Sequence, residues 1–559
     1  MGCAERVAGF LAEILVRFEG DAEGSAVLGA DEATSRYGAC TTGLRRRIAG
    51  ALVPFPRDGD QDGSAFRDDI IAIVNAACRY KVALYPVSTG NNWGYGSANP
   101  AVDDCVVVDL SRMTRIWEVD PETGVADLEP GVTQQMLRDY LDKENLRFLC
   151  PATGAGPNCS LVGNALERGY GITPHADHFL SMMSLEVVLP DGRVYRPPLA
   201  ELGCPDVDRV FKWGFGAFLD GMFTQSGFGI VTRMSIALAP IPERVEAFFF
   251  GVPHDENLGD AVEAIRSILR EVGGVLGSIN LMNTHRVLSM MEPYPRDQLD
   301  DNGLIRPDYV AEMARRNNVM SWMGAGAMYG NAKVLAAARS LIRRRLRGTA
   351  KRLMFFTPGQ VAFLDRASAY VPGAPGRMVQ NIFGTLNKTL KLLAGAPSEI
   401  ALPLAYWISG RKPEGDAPMN PACDGCGLVW YSPLVPMRAR TVEEYARMVR
   451  RVCIKHGLEP LITLTSVSDR CFDSTVPLLF DRANGQDVER ARRCYRELLD
   501  EGRKIGGCVP YRVPVDEIES FIRSDAPYWQ IVSTLKKTLD PSGIMSPGRY
   551  EPINQEIQS

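Results

Sequence analysis

Apolar positions in the first half of the chain recur at helical spacing in some segments and form short valine-rich runs in others. Helical spacing over residues 64–80 places Ile70, Ile73, Val74 and Ala77 on one face, which predicts an amphipathic helix. Short apolar runs that flank polar loops predict strands. The predicted elements are, in order, helix 64–80, strand 82–85, strand 106–108, strand 125–128, helix 133–145 and a hairpin over 185–195. This mixture predicts an α+β fold.

The texture of the sequence changes near Pro240. Aromatic residues 248–250 predict a strand there, and the helical runs that follow carry basic clusters such as residues 343–345. We interpret those clusters as solvated helix faces. A chain of 559 residues is too long for one ordinary core, so we predict two domains with a boundary at this point.

A loop of small polar residues follows the strand predicted at 82–85. Residues 86–100 contain three glycines, three asparagines and three Ser or Thr hydroxyls. Loops of this composition are ordinarily turns, but they also let consecutive backbone N–H groups converge on an anion such as a pyrophosphate. Two further glycine-bearing blocks occur at residues 151–171 and 219–232. Three such blocks in one half of the chain favour one extended ligand.

Composition and charge exclude several classes of function. The chain is 45% hydrophobic and 23% charged, with a formal net charge of -5, which gives no basis for binding nucleic acid or an anionic membrane. Apolar residues in the first 18 positions are interrupted by charges, which predicts an amphipathic helix rather than a signal peptide or membrane span. We therefore expect a cytoplasmic protein. Thirteen scattered cysteines do not form a disulfide scaffold, and Cys423 and Cys426 have no partners for a zinc site, so we expect no metal.

Taken together, the glycine blocks resemble those of the vanillyl-alcohol oxidase and p-cresol methylhydroxylase family of FAD-linked oxidoreductases. The residues that carry the resemblance are those at 90–98, 163–178, 220–232 and, near the C-terminus, 539–549. It implies an α+β fold with a two-part FAD-binding domain and an inserted α+β cap. The implied limits are 1–240 for the first part of the FAD-binding domain, 241–499 for the cap and 500–559 for the returning segment.

The same resemblance implies which residues hold FAD. In the first block they are Pro86, Ser88, Thr89, Gly90, Asn91, Asn92, Trp93, Gly94 and Ser97. In the later blocks they are Pro151, Gly154, Gly156, Gly163, Asn164, Glu167, Gly169, Gly171, Ile172, Gly229, Ile230, Val231 and Arg549. The family often attaches FAD covalently through a cap residue, but residues 426–433 contain no histidine. We expect noncovalent FAD, with Tyr431 or Cys426 as the alternative attachment sites.

Three residues resemble the group with which this family binds a phenol oxygen, namely Tyr95, Tyr511 and Arg512. A fixed guanidinium and two O–H donors favour the phenolate over the phenol. A phenolate makes the benzylic C–H a hydride donor, and a p-quinone methide results. The resemblance therefore implies an FAD-dependent oxidoreductase acting on a 4-alkylphenol or 4-hydroxybenzylic alcohol, with oxygen or a redox protein as electron acceptor and a homodimeric assembly.

Alternatives to this activity depend on two features of the sequence. Arg512 is equally suited to a carboxylate, which suggests oxidation of a hydroxy acid or an amino acid. Residues 152–162 contain no carboxylate, and residues 461–467 offer hydroxyls where we expected one. A non-catalytic protein that kept the flavin fold is the hypothesis that this shortage of carboxylates motivates.

Overall fold

A computed structural model describes residues 2–18, 26–55, 60, 63–368, 384, 386–415 and 417–552. Among these residues no helix has both the length and the apolar character to cross a membrane. All thirteen cysteines are free thiols.

The first sheet is formed by strands β1 to β4. Their bounds are β1 Ala26–Leu28, β2 Ile48–Val53, β3 Leu84–Val87 and β4 Cys105–Asp109. The order is β1-β2-β4-β3, and β4 runs parallel to both β2 and β3. Helices Cys3–Phe18, Ala30–Tyr37 and Ser64–Tyr80 pack around this sheet. The predicted helix 64–80 and its buried apolar face are confirmed, while the strand predicted at 82–85 lies two residues later.

The second sheet follows directly along the chain. Its region contains β5 Ile116–Val119, β6 Val125–Leu128, β7 Phe148–Leu149, β8 Met182–Val188, β9 Val194–Tyr195, β10 Ile230–Ala237 and β11 Ala239–Pro240. An antiparallel sheet has the order β5-β6-β10-β8-β9, and β7 pairs with β11 apart from it. Its helices are Gln134–Lys143, Leu161–Leu166, Pro198–Glu201 and Pro205–Asp208. Thr133 caps the first of them through Met136 N–H, so the helix predicted from 133 begins after that residue.

A large antiparallel sheet occupies the later half of the chain. Its strands are β12 Arg244–Val252, β13 Leu276–Asn283, β14 Trp322–Gly330, β15 Lys351–Phe356, β16 Gly427–Tyr431, β17 Leu434–Pro436, β18 Thr463–Ser466 and β19 Cys471–Phe480. The order is β15-β12-β14-β13-β18-β19-β16, with β17 also paired to β19. Helices of this half are Leu258–Val272, Thr284–Met291, Pro307–Arg316, Ala332–Arg345, Pro358–Ser368, Ala439–Lys455 and Gly485–Lys504.

Side-chain alternation along β19 gives the large sheet two different faces. Phe472, Val476 and Leu478 point into a hydrophobic core shared with the covering helices. Asp473 and Thr475 point the other way, because successive strand residues face opposite sides. The face that carries them is turned toward the first half of the chain.

The C-terminal segment returns to the first sheet. Helix Pro527–Leu539 leads to Met545, which forms a parallel bridge with Leu84, and Ser546 N–H donates to the Leu84 carbonyl at 2.8 Å. Tertiary contact therefore joins the C-terminal segment to strand β3 of the first sheet. The limits predicted for the three segments stay a prediction.

Candidate functional site

A cavity of about 400 Å³ lies between the two halves of the chain. Residues of the loop after β3, of helix Leu161–Leu166 and of the C-terminal segment form one wall. The face of the large sheet that carries Asp473 and Thr475 forms another. This volume is in the usual range for small-molecule sites, and such sites are common between domains.

The loop after β3 presents unused hydrogen-bond donors to the cavity. Within the described chain, none of the backbone N–H groups of residues 89–93 has a protein acceptor. Two buried hydroxyls that also line the cavity, Ser97 Oγ and Ser226 Oγ, have no hydrogen-bond partner in the described chain. Buried donors are normally paired, so these groups indicate an extended polar ligand.

Close packing brings the loop against helix Leu161–Leu166. A Cβ atom on Gly163 would lie 2.3 Å from Ser88 Oγ, so a larger residue at 163 would displace the loop. Ser160 caps the helix by accepting from Gly163 N–H at 2.9 Å. The first two glycine blocks of the sequence are thus adjacent in space.

Most residues predicted to hold FAD line the cavity. Those that do are Pro86, Ser88, Thr89, Gly90, Asn91, Asn92, Trp93, Ser97, Gly154, Gly163, Asn164, Glu167, Gly169, Gly229, Val231 and Arg549. Those that do not are Gly94, Pro151, Gly156, Gly171, Ile172 and Ile230. Packing explains two of these glycines, because a Cβ would lie 2.1 Å from Trp430 Cδ1 at Gly94 and 2.4 Å from His178 Nε2 at Gly171.

Tyr95, Tyr511 and Arg512 meet at one end of the cavity. The Arg512 guanidinium lies 4.4 Å from the centre of the Tyr95 ring, and its Nη2 donates to Asn92 Oδ1 at 2.5 Å. Tyr95 Oη is 2.8 Å from Ser432 Oγ. Burial raises the pKa of both tyrosines well above the ordinary value, so both are neutral O–H groups at pH 7. The roles assigned to these three residues stay predictions.

Glu167 lies between two buried arginines. Its carboxylate forms an ion pair with Arg549 and approaches Arg512 Nε at 3.5 Å. Burial alone would raise the pKa of Glu167, but the two guanidinium groups outweigh it and lower that pKa below its usual range. Arg549 also donates to Tyr85 Oη at 2.8 Å. Through Arg512 and Arg549, Glu167 therefore connects the residues predicted to bind the phenol with the C-terminal segment and with Tyr85 of strand β3.

Asp473 corrects the expectation that the cavity lacks a free carboxylate. It projects from β19 and lines the cavity, and its buried Oδ1 has no hydrogen-bond partner among the described residues. Burial raises the pKa of Asp473 to about 7, against the attraction of Arg512. A carboxyl group that titrates near neutral pH in a cavity is a candidate general acid or base. Asp473 is the one carboxylate in strand β19, Cys471–Phe480, and that was the only sequence signal.

Sequence reasoning also missed two further cavity residues, Tyr170 and Arg286. The Tyr170 ring makes an edge contact with Tyr511, with 5.5 Å between ring centres. Arg286 lies in helix Thr284–Met291, on the side of the cavity formed by the large sheet. Tyr170 lies within the second glycine block, between Gly169 and Gly171, but was not singled out there, and Arg286 belongs to no local motif.

Neither alternative for covalent attachment lines the cavity. The Tyr431 hydroxyl donates to backbone carbonyls of Leu498 and Cys508, at 2.9 and 3.2 Å, inside the core of the large sheet. Cys426 is buried beside Ser409 Oγ at 3.4 Å. Strand alternation and packing turn both side chains away from the cavity, so noncovalent FAD stays the prediction.

Comparison with known proteins agrees with this geometry. A family model described as an FAD binding domain matches residues 66–196. These residues include the donor-rich loop and helix Leu161–Leu166. The unused N–H groups and hydroxyls of the cavity fit the pyrophosphate and ribityl oxygens of FAD.

Three proteins illustrate the likeness over nearly the whole chain. A 1'-carboxy-chondrochloren decarboxylase of Chondromyces crocatus is 32% identical over 493 residues, covering 86% of this chain and 88% of that protein. The 4-cresol dehydrogenase (hydroxylating) flavoprotein subunit of Pseudomonas putida is 28% identical, covering 86% and 85%. The solved 4-ethylphenol oxidase of Gulosibacter chungangensis, in complex with isoeugenol, has a TM-score of 0.84 at 21% identity and covers 99% and 98%.

Proposed function

We propose a substrate for this chain, which belongs to the vanillyl-alcohol oxidase and p-cresol methylhydroxylase family of FAD-dependent oxidoreductases. The proposed substrate is a para-substituted phenol that loses a hydride from its benzylic carbon. The observation that carries this proposal is the meeting of Arg512 with Tyr95 and Tyr511 at one end of the cavity. A buried cation and two neutral O–H donors favour a phenolate there.

The chemistry follows from where charge develops. When FAD is bound it accepts the hydride. Arg512 and the two tyrosines hold the phenol oxygen as an anion, which pushes electrons toward the benzylic carbon and leaves a p-quinone methide. Asp473 then accepts the proton of a water molecule that adds to that carbon.

A methylated substrate tests the phenolate directly. We expect the holoenzyme to oxidise 4-ethylphenol and to turn over 4-ethylanisole at least about 100-fold more slowly, because the ether cannot ionise and loses the charge stabilisation at Arg512. Anaerobic bleaching of the flavin absorbance by each compound measures this without an assumption about the electron acceptor. Equal rates for the two compounds would contradict the proposal and favour an alcohol or hydroxy-acid substrate.

Proton transfer by Asp473 predicts a pH dependence. The base acts in its deprotonated form, so kcat/KM should rise with pH through about 7 and level off above it, since burial sets the pKa of Asp473 there. In Asp473→Asn this rise should be absent. At pH 8 the value of kcat/KM should be reduced by a factor of about 10² or more. Asp525→Asn, at a side chain that is 80% exposed, is the matched control.

Stability provides an independent readout of Asp473. In the folded protein the pKa of Asp473 lies above that of an unfolded aspartate, so between about pH 4 and 7 the folded state binds one more proton than the unfolded state. The free energy of unfolding therefore decreases as pH rises through that window. Asp473→Asn should therefore raise the unfolding temperature at pH 8 more than at pH 5. If kcat/KM depended on pH in Asp473→Asn as it does in the parent, proton transfer would belong to another group.

A second candidate outcome is the loss of CO2 from the same quinone methide. The likeness to a protein named a decarboxylase, at 32% identity, favours it. This outcome requires a carboxylate on the carbon next to the benzylic position. When the bond between that carbon and the carboxylate breaks, CO2 leaves. The electron pair of the broken bond forms the side-chain double bond and restores the aromatic phenolate, so the product is a 4-alkenylphenol. Product analysis separates the two outcomes, since hydration adds a hydroxyl group and decarboxylation leaves an alkene.

The assembly and location of the protein stand as proposals beside this activity. We propose a cytoplasmic homodimer that passes electrons to oxygen or to a redox protein. Exposed apolar side chains between residues 202 and 219, among them Phe211, Trp213 and Phe215, support an interface with another protein chain.

A further inference from the structure

Arg286 is a cation of the cavity wall that has no ion-pair partner in the described part of the chain. Among the described residues no carboxylate lies within ion-pairing distance of it. Its one side-chain hydrogen bond is a long one, from Nη1 to Ser289 Oγ at 3.4 Å. The other buried arginines of the cavity, Arg512 and Arg549, both face Glu167. Of these three cavity arginines, Arg286 is the one without a carboxylate partner among the residues that the structure describes.

The fold holds Arg286 in a fixed position. Asn283 caps helix Thr284–Met291 by accepting from Arg286 N–H at 3.1 Å, so the arginine belongs to the first turn. This helix follows β13, where Met282 pairs with Thr463, and Thr463 in turn pairs with Thr475 of the cavity wall. Along the direction of β13, Arg286 therefore lies past the position level with Thr475, and farther still from the position level with Asp473.

A partly buried cation without an anionic partner is costly to the folded state. Burial lowers the pKa of Arg286 to about 10, with no neighbouring charge to offset it, yet the group is still protonated at pH 7. Apolar residues such as Leu404 and Leu428 share this region of the cavity wall. A cation that lines the cavity without a carboxylate partner among the described residues is available to an anionic ligand.

We propose that Arg286 binds a carboxylate at the end of the substrate's para side chain, so that the substrates are 4-hydroxyphenyl alkanoates. The inference rests on the proposed function, because it assumes that the phenol oxygen lies at Arg512. The two arginines then bind the two ends of one molecule, with the benzylic carbon between them. A guanidinium binds a carboxylate through paired N–H donors, which gives the side chain a defined orientation.

Pairs of substrates that match in shape and differ in charge test this inference. The probes are 4-hydroxyphenyl acetate, propanoate and butanoate, each compared with its primary amide, and 4-ethylphenol. For at least one chain length, the holoenzyme should prefer the acid, and Arg286→Met should lower kcat/KM for that acid about 30-fold, as expected for one charged hydrogen-bonded contact. The amide and 4-ethylphenol should change less than about threefold, and Arg286→Lys should retain part of the preference.

Two further variants keep the result interpretable. Arg286→Glu should invert the preference and favour the cation 4-(3-aminopropyl)phenol. Arg440→Met, at a side chain that is 89% exposed, is the surface control. Because the methionine removes a partly buried charge that has no ion-pair partner among the described residues, Arg286→Met should unfold at the same or a higher temperature than the parent.

Each failure has a distinct meaning. Equal losses for acids and amides in Arg286→Met, with phenol turnover intact in the parent, would overturn the carboxylate site and assign the arginine to cofactor binding or packing. No anaerobic flavin reduction by any of the phenols would overturn the proposed function and this inference together.

Discussion

Replacing Arg512 by methionine is expected to lower kcat/KM for a 4-alkylphenol by about 10²- to 10³-fold, the cost of removing a group that stabilises a developing anion in a closed site. Methionine keeps much of the length of the side chain and removes its charge. The fold should survive, because Glu167 keeps its ion pair with Arg549 after the change. Flavin content, measured by absorbance, should stay near that of the parent.

Substrate acidity distinguishes a charge effect from a loss of packing. The deficit of Arg512→Met should shrink for a more acidic phenol, such as a 2,6-difluoro-4-alkylphenol, and at pH values near the phenol pKa of about 10, because solvent then supplies the phenolate. Arg512→Lys should fall between the parent and the methionine variant, since it restores the charge but not the planar donor pair. A deficit that is constant across phenols and pH would show that Arg512 acts only through packing.

Replacing Glu167 by glutamine is expected to destabilise the folded protein by about 3–5 kcal/mol, the usual cost of leaving buried charges without their partner. The change removes the only carboxylate that is ion-paired with either Arg549 or Arg512 among the described residues. The two guanidinium groups would then repel one another across the cavity. Unfolding temperature at a fixed heating rate measures the effect, with and without added FAD.

An exposed ion pair is the control for Glu167. Glu444 pairs with Arg440, which is 89% exposed, at one helical turn of separation. Glu444→Gln should change stability by less than about 0.5 kcal/mol, because exposed pairs are screened by water. If both variants lost the same stability, the buried position of Glu167 would not be the cause.

Local pattern predicted those parts of the fold whose neighbours are close in sequence. The helix Ser64–Tyr80 was predictable because its buried face recurs every three to four residues, and strand Val125–Leu128 because its apolar run is bounded by turn residues. The glycine blocks pointed to one ligand because each contains its own small residues. They did not separate glycines that line the cavity from Gly94 and Gly171, which are required by Trp430 and His178.

Residues that depend on distant partners were not predictable in the same way. Asp473 and Arg286 reach the cavity only because β13, β18 and β19 are neighbours in the large sheet. Strand order of this kind is fixed by packing of the whole chain, and a single sequence does not state it. The pair Tyr511 and Arg512 was found by resemblance to a family, since nothing in the dipeptide itself indicates that it lies beside Tyr95.

The return of the C-terminal segment to the first sheet dictates when the enzyme can become active during its synthesis. Asn92 and its partner Arg512 are separated by 420 positions. At ribosomal rates of roughly 5–20 residues per second, about 20–80 s pass between the emergence of one and of the other. Throughout that interval the loop after β3 lacks Met545, Arg549 and Arg512. A nascent chain therefore cannot complete the wall of this cavity before the C-terminal segment has emerged and returned to the first sheet.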